Sequence, residues 1–460
     1  MEHRGGPAGR ERMGWTAAEL LLLLGCFLIC LTGSLLLPVN QCPDEYGRNL
    51  LIDWMCEHHS LPTGDEMDTA IMEWAAIRAG DPNAKGWGFS YALRPYLSAM
   101  VGAFFREVCG LFTRNPRVLL SAGRMGSVLS VTLGCYFCLK LGRRVFRRRS
   151  SVFFCAAFVS FLPQVMFLGM YHNNDAPALC AVCAMSYYLV RGDESHWRIR
   201  DCVGLAVSFA LGALTYYSAY PWFLMGLVYC VIAVLRDAAI TDKGRFLLGR
   251  AALVGGICLA LAGWFFLRNA ILHQGDFLGL AEELRSRQRY SDMGYALYPY
   301  ISAKAEGVPF LSFLLADRGW FIRCSIASFF GVFGYMDTPM PLWLYVGYCA
   351  VTLPGLGLGL RGLAAERPAG RLGGLAAGHF AASAAAVALC TWHAYARDFQ
   401  AQGRYFIPAA LCLGLCIAYG LDTMPRRKDG SGEGLAWAAG GLWLALFVLA
   451  AVTSMSRMLV

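Results

Sequence analysis

Long apolar segments separated by short basic clusters constrain the fold of this chain more than any other feature. Each segment approaches the roughly 20 residues that a helix needs to cross the hydrocarbon core of a bilayer. The composition agrees, because 57% of the residues are hydrophobic, 15% are charged and the mean hydropathy is +0.47. We therefore predict an all-α integral membrane protein with about eleven transmembrane helices, at roughly 15–37, 118–141, 151–170, 175–190, 201–217, 220–236, 246–267, 341–360, 372–393, 404–421 and 434–456.

The positions of the basic residues predict how these helices are oriented. The net charge is +9, but most Lys and Arg residues lie in short clusters between apolar segments, which is typical of cytoplasmic loops and not of a nucleic-acid-binding surface. The densest cluster is 140–149 (KLGRRVFRRR), and the N-terminus is also basic. Only one span is therefore expected between the first outer loop and this cluster, so that 91–112 lies along the outer leaflet or dips into it. Residues 1–460 then form one transmembrane domain with two large outer loops, 38–117 and 268–340.

The first outer loop has helical patterning of its own. Apolar residues recur at helical spacing after Pro43, and Thr63 to Glu66 has the form of a capping box that starts a second apolar stripe. Two helices lying on the membrane surface are therefore predicted in this loop. Cys42 and Cys56 fall near the two ends of the first helix, and a disulfide between them is left open because a sequence alone does not show pairing.

Two adjacent carboxylates, Asp44 and Glu45, stand at the start of the first surface helix. Acidic residues are common in a first helical turn because they complement the helix dipole, and for the pair taken alone that structural explanation is preferred. The functional alternative is a general base at the bilayer boundary.

Further polar groups fall on the predicted outer side. One of these groups is His172, Asn173, Asn174 and Asp175. The formation of a turn and a helix cap explains these residues as well as a catalytic or binding function does. Arginines on the outer side run against the positive-inside bias, and a guanidinium is well shaped to hold a phosphate. Phosphate binding is therefore favoured for Arg94 and Arg404 and considered for Arg268. Tyr405 is grouped with Arg404 as a candidate substrate contact. The histidines at 58, 59 and 393 lack the spacing of a metal site, and no metal ligand is assigned.

Several short motifs together resemble the GT-C superfamily of polyprenyl-phosphate-dependent glycosyltransferases, which includes the protein O-mannosyltransferases and the lipid A aminoarabinose transferases. The set is most similar to an uncharacterised bacterial membrane family of this superfamily. The motifs are Pro43–Glu45 after a long first span, Asn173–Asp175, Trp264–Asn269 with Gly275-Asp276, Ser328–Met336 and Gln402–Pro408.

The resemblance implies roles for individual residues. An acidic residue of the first outer loop is the catalytic base in the superfamily, which corresponds here to Asp44 or Glu45. A second acidic residue that supports the site corresponds to Asp175. A basic residue before a proline binds the lipid phosphate and corresponds to Arg94, although this position departs from the Lys-Pro-Pro form of the aminoarabinose transferases.

The resulting hypothesis is an inverting hexosyl- or pentosyltransferase of a bacterial cytoplasmic membrane, with its active site facing outside. The expected donor is a sugar on a polyprenyl phosphate, the expected acceptor is a lipid or glycan of the cell envelope, and membrane lipid surrounds both. No cofactor is assigned, and a divalent cation is left open. The alternatives are a transporter or flippase of a lipid-linked sugar and a polymerase or ligase of envelope glycans. A transporter is disfavoured because the unusual residues gather on one side and no internal repeat is found.

Overall fold

The computed structural model describes residues 14–39, 41–64, 90–292, 302–366, 371–425 and 431–459. Helices dominate these ranges: α1 (Ala17–Leu36), α2 (Glu45–His58), α3 (Ser90–Leu93), α4 (Leu97–Gly110), α5 (Pro116–Gly123), α6 (Met125–Val145), α7 (Arg149–Ser160), α8 (Pro163–Leu168), α9 (Asp175–Glu194), α10 (Ile199–Ala213), α11 (Tyr220–Arg236), α12 (Lys243–Cys258), α13 (Trp264–Leu272), α14 (Leu280–Asp292), α15 (Phe310–Phe330), α16 (Leu342–Glu366), α17 (Arg371–Ala396), α18 (Ala409–Thr423) and α19 (Ser431–Thr453).

Short elements connect some of these helices. A π-helical segment joins α12 to α13, and a two-residue hairpin pairs β1 (Val332–Phe333) with β2 (Thr338–Pro339) in antiparallel register. Three 3₁₀ turns complete the described elements, at Tyr217–Ala219, Gly403–Phe406 and Met455–Met458.

Each predicted span coincides with helical structure, and the chain is a multi-pass membrane protein. Within the described ranges, seven helical segments are long and apolar enough to cross a membrane: Ala17–Leu36, Met125–Val145, Tyr217–Arg236, Lys243–Leu272, Leu342–Glu366, Arg371–Ala396 and Glu433–Met458. Two more apolar helices, α7 and α18, are shorter than 18 residues. The predicted span 151–170 is divided between α7 and α8, which starts at Pro163, a residue that favours the first turn of a helix. The count of eleven spans is therefore not confirmed.

The centre of the molecule is formed by α7, α8 and α9. All residues of α7 from Ser150 and all residues of α8 are buried, and α9 buries 17 of its 20 residues. The sequence of α9 explains this burial, because Ala and Cys side chains at most positions from 178 to 184 let the neighbouring backbones approach closely. This helix packs against α6 and α10, and its N-terminus carries Asp175 to one end of the bundle.

The two ends of the bundle carry different chemistry. At the end where α6 and α9 finish, the basic clusters of the sequence meet acidic partners, with Arg144 pairing Glu194 and Arg371 pairing Asp193. The starts of the same helices lie about 30 Å away at 1.5 Å per residue. His172, Asn173 and Asn174 lie in the turn just before α9, and Asp175 is its first residue. The basic cluster 140–149 thus lies beside Arg371, at the end of the bundle opposite His172 to Asp175.

Part of the first predicted outer loop is visible as helices. The first predicted surface helix is present as α2, which buries residues 45, 48, 51, 52 and 55 along one face. The segment 91–112 forms α3 and α4, and the tip after α4 exposes Leu111 and Phe112 almost fully. The second surface helix, predicted from the capping box onward, lies outside the described residues. All 18 cysteines are free thiols, and Cys42 and Cys56 are separated by the length of α2.

Candidate functional site

Asp44 is the N-cap residue of α2, but its side chain does not cap the helix. Its backbone adopts φ 64°, a left-handed conformation that is uncommon for residues other than glycine and is often retained at functional sites. The carboxylate instead accepts a hydrogen bond of 2.7 Å from Nη2 of Arg404, and 22% of the side chain is exposed. Asp44 therefore stands where an acidic residue complements the helix dipole, but its side chain contacts Arg404 instead of the helix N-terminus.

Electrostatics keep the Asp44 carboxylate ionised. Burial acts to raise its pKa, but the guanidinium of Arg404, helped by that of Arg48, outweighs burial and lowers the pKa of Asp44 to about 2. The Tyr91 hydroxyl also hydrogen-bonds to the carboxylate. At any physiological pH this group is a negatively charged proton acceptor.

Glu45 has a different environment from its neighbour. Its side chain is fully buried and forms a two-pronged ion pair with Arg124, from Nε to Oε1 at 2.7 Å and from Nη2 to Oε2 at 2.8 Å. The backbone N–H of His172 also donates to Oε1. Arg124 in turn donates to the carbonyl oxygens of Ser34 and Leu37 at the end of α1. Glu45 therefore links α2 to the end of α1, through Arg124, and to the turn before α9, and both of its carboxylate oxygens already accept hydrogen bonds.

The turn before α9 is held by its own side chains. The Asn173 amide donates to the carbonyls of Leu168 and Tyr171, while its oxygen accepts the backbone N–H of Ala176 and so caps α9. Asn174 reaches the carbonyl of Pro95. For Asn173 the geometry accounts fully for the residue as a structural cap.

His172 and Asp175 face the interior of the site. The Nδ1 atom of His172 is 3.2 Å from Oδ1 of Asn49, and burial together with the charges of Arg48 and Arg124 lowers the pKa of His172 to about 3. The imidazole is therefore neutral, and Nδ1 carries the proton donated to Asn49. Asp175 is 2% exposed, its Oδ1 atom has no hydrogen-bond partner, and it interacts electrostatically with Arg404.

A cleft opens beside these residues, with about 270 Å³ of empty space including the part open to solvent. Two guanidinium groups and several tyrosines line it: Arg48, Leu51, Tyr91, Arg94, Pro95, Tyr96, Ala99, His172, Asn174 and Tyr216. None of these lining residues is a carboxylate. Arg94, which lines the cleft, is paired with Glu283 of α14 at 2.7 Å. Tyr405 stacks on Tyr216 with ring centroids 6.3 Å apart, which connects the Asp44–Arg404 pair to the cleft.

Two sequence motifs meet at Arg404. Ser328, near the end of α15, accepts the backbone N–H of Gly403 at 2.7 Å, so the segments Ser328–Met336 and Gln402–Pro408 are in contact. Arg404 is 3% exposed and also donates to Oε1 of Gln402. Arg268, by contrast, donates to the carbonyls of Leu61 and Pro62 and holds the chain after α2.

The structure therefore brings Asp44, Asp175 and Arg404 to the end of the bundle where Arg94 lines the cleft, while Arg268 holds a loop. Their functional roles remain predictions. In the part of the chain that the structure describes, no group of three or more His, Cys, Asp or Glu side chains is placed to hold a metal ion.

Sequence reasoning missed two arginines of this region. Arg124 lies inside the predicted span 118–141. A charged residue there is unfavourable unless it has a partner, and this could have identified Arg124 from the sequence. Arg48 lies one helical turn after Asp44, on the same face of α2, which the sequence shows. Tyr91, Tyr216 and Glu283 carry no local signal, because only the tertiary fold brings them to the cleft.

Comparisons with known proteins agree with this architecture. Residues 87–413 match the model of a family described as predicted membrane protein (DUF2142). A comparison with curated proteins gives no match. ArnT from Cupriavidus metallidurans bound to undecaprenyl phosphate superposes with a TM-score of 0.52 at 14% identity, over 90% of this chain and 61% of that one. An oligosaccharyltransferase from Archaeoglobus fulgidus, tethered to an acceptor peptide, superposes with a TM-score of 0.51 at 11% identity, over 95% of this chain and 55% of that one.

At these identities the likeness concerns the fold, and this chain spans less than two thirds of either solved protein. Both solved proteins are members of the GT-C superfamily, so the fold expected from the sequence motifs is confirmed. The family match covers more than half of the chain. The chain therefore belongs to the DUF2142 family of membrane proteins and has a GT-C fold.

Proposed function

We propose that this protein is an inverting glycosyltransferase that uses a sugar linked to a polyprenyl phosphate, with Asp44 as its general base. The acceptor is a lipid or glycan of the cell envelope, and the site faces outward from a bacterial cytoplasmic membrane. ArnT, one of the proteins with the same fold, binds undecaprenyl phosphate, which supports a lipid phosphate as the carrier.

The observation that carries the proposal is the contrast between the two adjacent carboxylates. Glu45 is fully buried and bonded to Arg124, whereas Asp44 is partly exposed, leaves the helix uncapped and lies beside a cleft lined by guanidinium groups. A base must be ionised and accessible to the acceptor. Of the two carboxylates, Asp44 alone meets both requirements.

The proposed step conserves atoms and charge. An acceptor hydroxyl or amine attacks the anomeric carbon of the sugar, and its proton passes to the Asp44 carboxylate. The bond between the anomeric carbon and the phosphate oxygen breaks, and its electron pair leaves with the lipid phosphate. Attack on the face opposite the leaving group inverts the anomeric configuration. Arg94 offers positive charge where the phosphate develops negative charge.

Arg404 has a separate task in this scheme. Because Arg404 is bonded to Asp44, it keeps the base ionised before the acceptor arrives. It also remains close enough to the reacting groups to attract the departing phosphate.

The experiment uses the purified chain in proteoliposomes with radiolabelled polyprenyl-phosphate sugars and a bacterial membrane fraction as the source of acceptor. Wild type is expected to transfer the label to an acceptor, and the product is expected to have the anomeric configuration opposite to that of the donor. Heat-denatured protein provides the blank.

Two results oppose the proposal. Retention of anomeric configuration contradicts a single displacement at the anomeric carbon. Movement of the intact donor across liposomes, with no transfer from any donor, identifies a transporter or flippase instead.

A further inference from the structure

The guanidinium of Arg48 stands out in the cleft because its charge has no direct partner. The residue is 5% exposed, and its Nε atom is buried with no hydrogen-bond partner. Within the described residues, its guanidinium makes one cation–π contact, with the Tyr91 ring, at 4.8 Å from the guanidinium carbon to the ring centroid. A buried charge that lacks a bonded partner is strongly unfavourable, so a place of this kind indicates a ligand of opposite charge.

The other arginines near the site are already paired. Arg124 is bonded to Glu45, Arg404 to Asp44, and Arg94 to Glu283. Asp44 and Asp175 act on Arg48 only at a distance, and neither lines the cleft. The cleft lining therefore carries a net positive charge that is centred on Arg48.

The remaining lining residues suit an oxyanion. Side chains of Tyr216 and Asn174 offer hydrogen-bond donors, and neutral His172 adds no negative charge. Arg94 faces the same space from the turn between α3 and α4, and its Nε atom is also buried without a hydrogen-bond partner. Two guanidinium groups with neutral donors between them match a phosphate better than a neutral sugar.

We propose that Arg48 and Arg94 form an anion subsite that binds the phosphate group of the substrate, with Arg48 as the principal contact. The subsite's preference for an anion follows from the cleft itself, whereas the identification of the anion as a lipid phosphate rests on the proposed function. In this arrangement Arg404 stays bonded to Asp44, while Arg48 and Arg94 contact the phosphate from the cleft lining. This arrangement assigns a binding function to a residue of α2 that no sequence motif marked.

The test measures binding, separately from transfer. The full chain in phosphatidylcholine nanodiscs is titrated with undecaprenyl phosphate and undecaprenol, read by native mass spectrometry, and with labelled inorganic phosphate by equilibrium dialysis. In Arg48→Gln the dissociation constant for undecaprenyl phosphate is expected to rise at least tenfold, and in Arg48→Lys to rise less. Undecaprenol, which lacks the phosphate, is expected to show no dependence on Arg48.

A matched control is available on the same surface. Arg106 on α4 pairs with Asp53 on the other face of α2, outside the cleft, so Arg106→Gln is expected to bind undecaprenyl phosphate like wild type. If Arg48→Gln does not fold, the subsite is tested in the wild-type protein by chemical modification of Arg48. Undecaprenyl phosphate or inorganic phosphate is expected to protect Arg48 from phenylglyoxal, detected by peptide mass spectrometry.

The outcomes separate the sources of the anion and the two proposals. Protection by inorganic phosphate alone supports a subsite for a free anion, and protection by the lipid alone supports a lipid headgroup. Equal binding of undecaprenyl phosphate by wild type and a folded Arg48→Gln, or no protection of Arg48 by either compound, overturns the subsite even if wild type transfers sugar. Binding through Arg48 without any transfer leaves the subsite in place and overturns the proposed function.

Discussion

Asp44 and Glu45 are consecutive carboxylates, yet the residues around them give them different chemistry. Glu45 is fully buried, and both of its oxygens accept hydrogen bonds from Arg124. Asp44 keeps part of its side chain accessible and interacts with an arginine from a segment 360 residues later. Since the sequence places both at the same helix start, the assignment between them depends on partners that only the fold supplies.

Removing the charge of Glu45 is expected to destabilise the protein. In Glu45→Gln the Arg124 guanidinium remains buried without its counter-charge, and breaking such a pair costs about 3–5 kcal/mol. Asp53→Asn is the comparison, because the Asp53–Arg106 pair is about one third exposed and pairs of that kind contribute about 1 kcal/mol or less. Thermal unfolding in detergent measures both variants. Equal melting temperatures for Glu45→Gln and wild type would show that the buried pair does not hold the fold.

Arg404→Gln is expected to change the pH dependence of transfer. In wild type the pKa of Asp44 is lowered to about 2, so the base stays ionised as the pH falls and does not produce an acid limb above that value. Without Arg404, burial raises the pKa of Asp44, and activity is expected to fall as the pH drops through the new, higher value. The measurement is the transfer rate from pH 4 to pH 8. An unchanged profile with a uniform loss of rate would indicate that Arg404 acts on the phosphate alone.

At the scale of elements, the 3₁₀ turn before α18 shows how the backbone positions a site residue. A Cβ atom at Gly403 would collide with the Ser325 carbonyl and the Phe329 amide of α15. The close approach is fixed by the hydrogen bond from Gly403 to Ser328, and it sets the direction in which Arg404 points. Glycine is needed here for space.

Gly403→Ala is therefore expected to reduce transfer by tenfold or more, because α15 and the turn must separate and the Arg404–Asp44 contact is lost. Gly249→Ala is the control, since a Cβ atom there meets no neighbour. Transfer rates and melting temperatures of both variants decide the matter. A folded Gly403→Ala with the wild-type rate would contradict the positioning role.

The sequence predicted the elements better than it predicted their contacts. Apolar length located the seven described segments that are long enough to cross a membrane, and the spacing after Pro43 predicted α2. The break within 151–170 was missed because hydropathy does not register the interruption between α7 and α8. Arg48 was missed for a related reason: its position on the buried face of α2 is visible in the sequence, but its lack of a partner is a property of the folded site.

For the whole molecule, the separation of charge between the two ends predicts the topology. The basic cluster 140–149 and Arg371 lie where α6 and α9 finish, and the positive-inside rule places that end in the cytoplasm. Alkaline phosphatase fused after Ala305 is then expected to be active, and the same enzyme fused after Ala239 is expected to be inactive. The reverse pattern would put the candidate site in the cytoplasm and contradict the outward-facing proposal.

The most direct test of the central claim is the transfer rate of Asp44→Asn with undecaprenyl-phosphate sugar bound at saturation. The variant keeps the size of the side chain but cannot accept the acceptor's proton. We predict a rate per folded molecule lower by a factor of about 10² to 10⁴, the usual contribution of a positioned general base, with donor binding close to that of wild type. The melting temperature is expected to fall, because the buried Arg404 loses its counter-charge. A folded Asp44→Asn protein that transfers sugar at the wild-type rate would contradict the account.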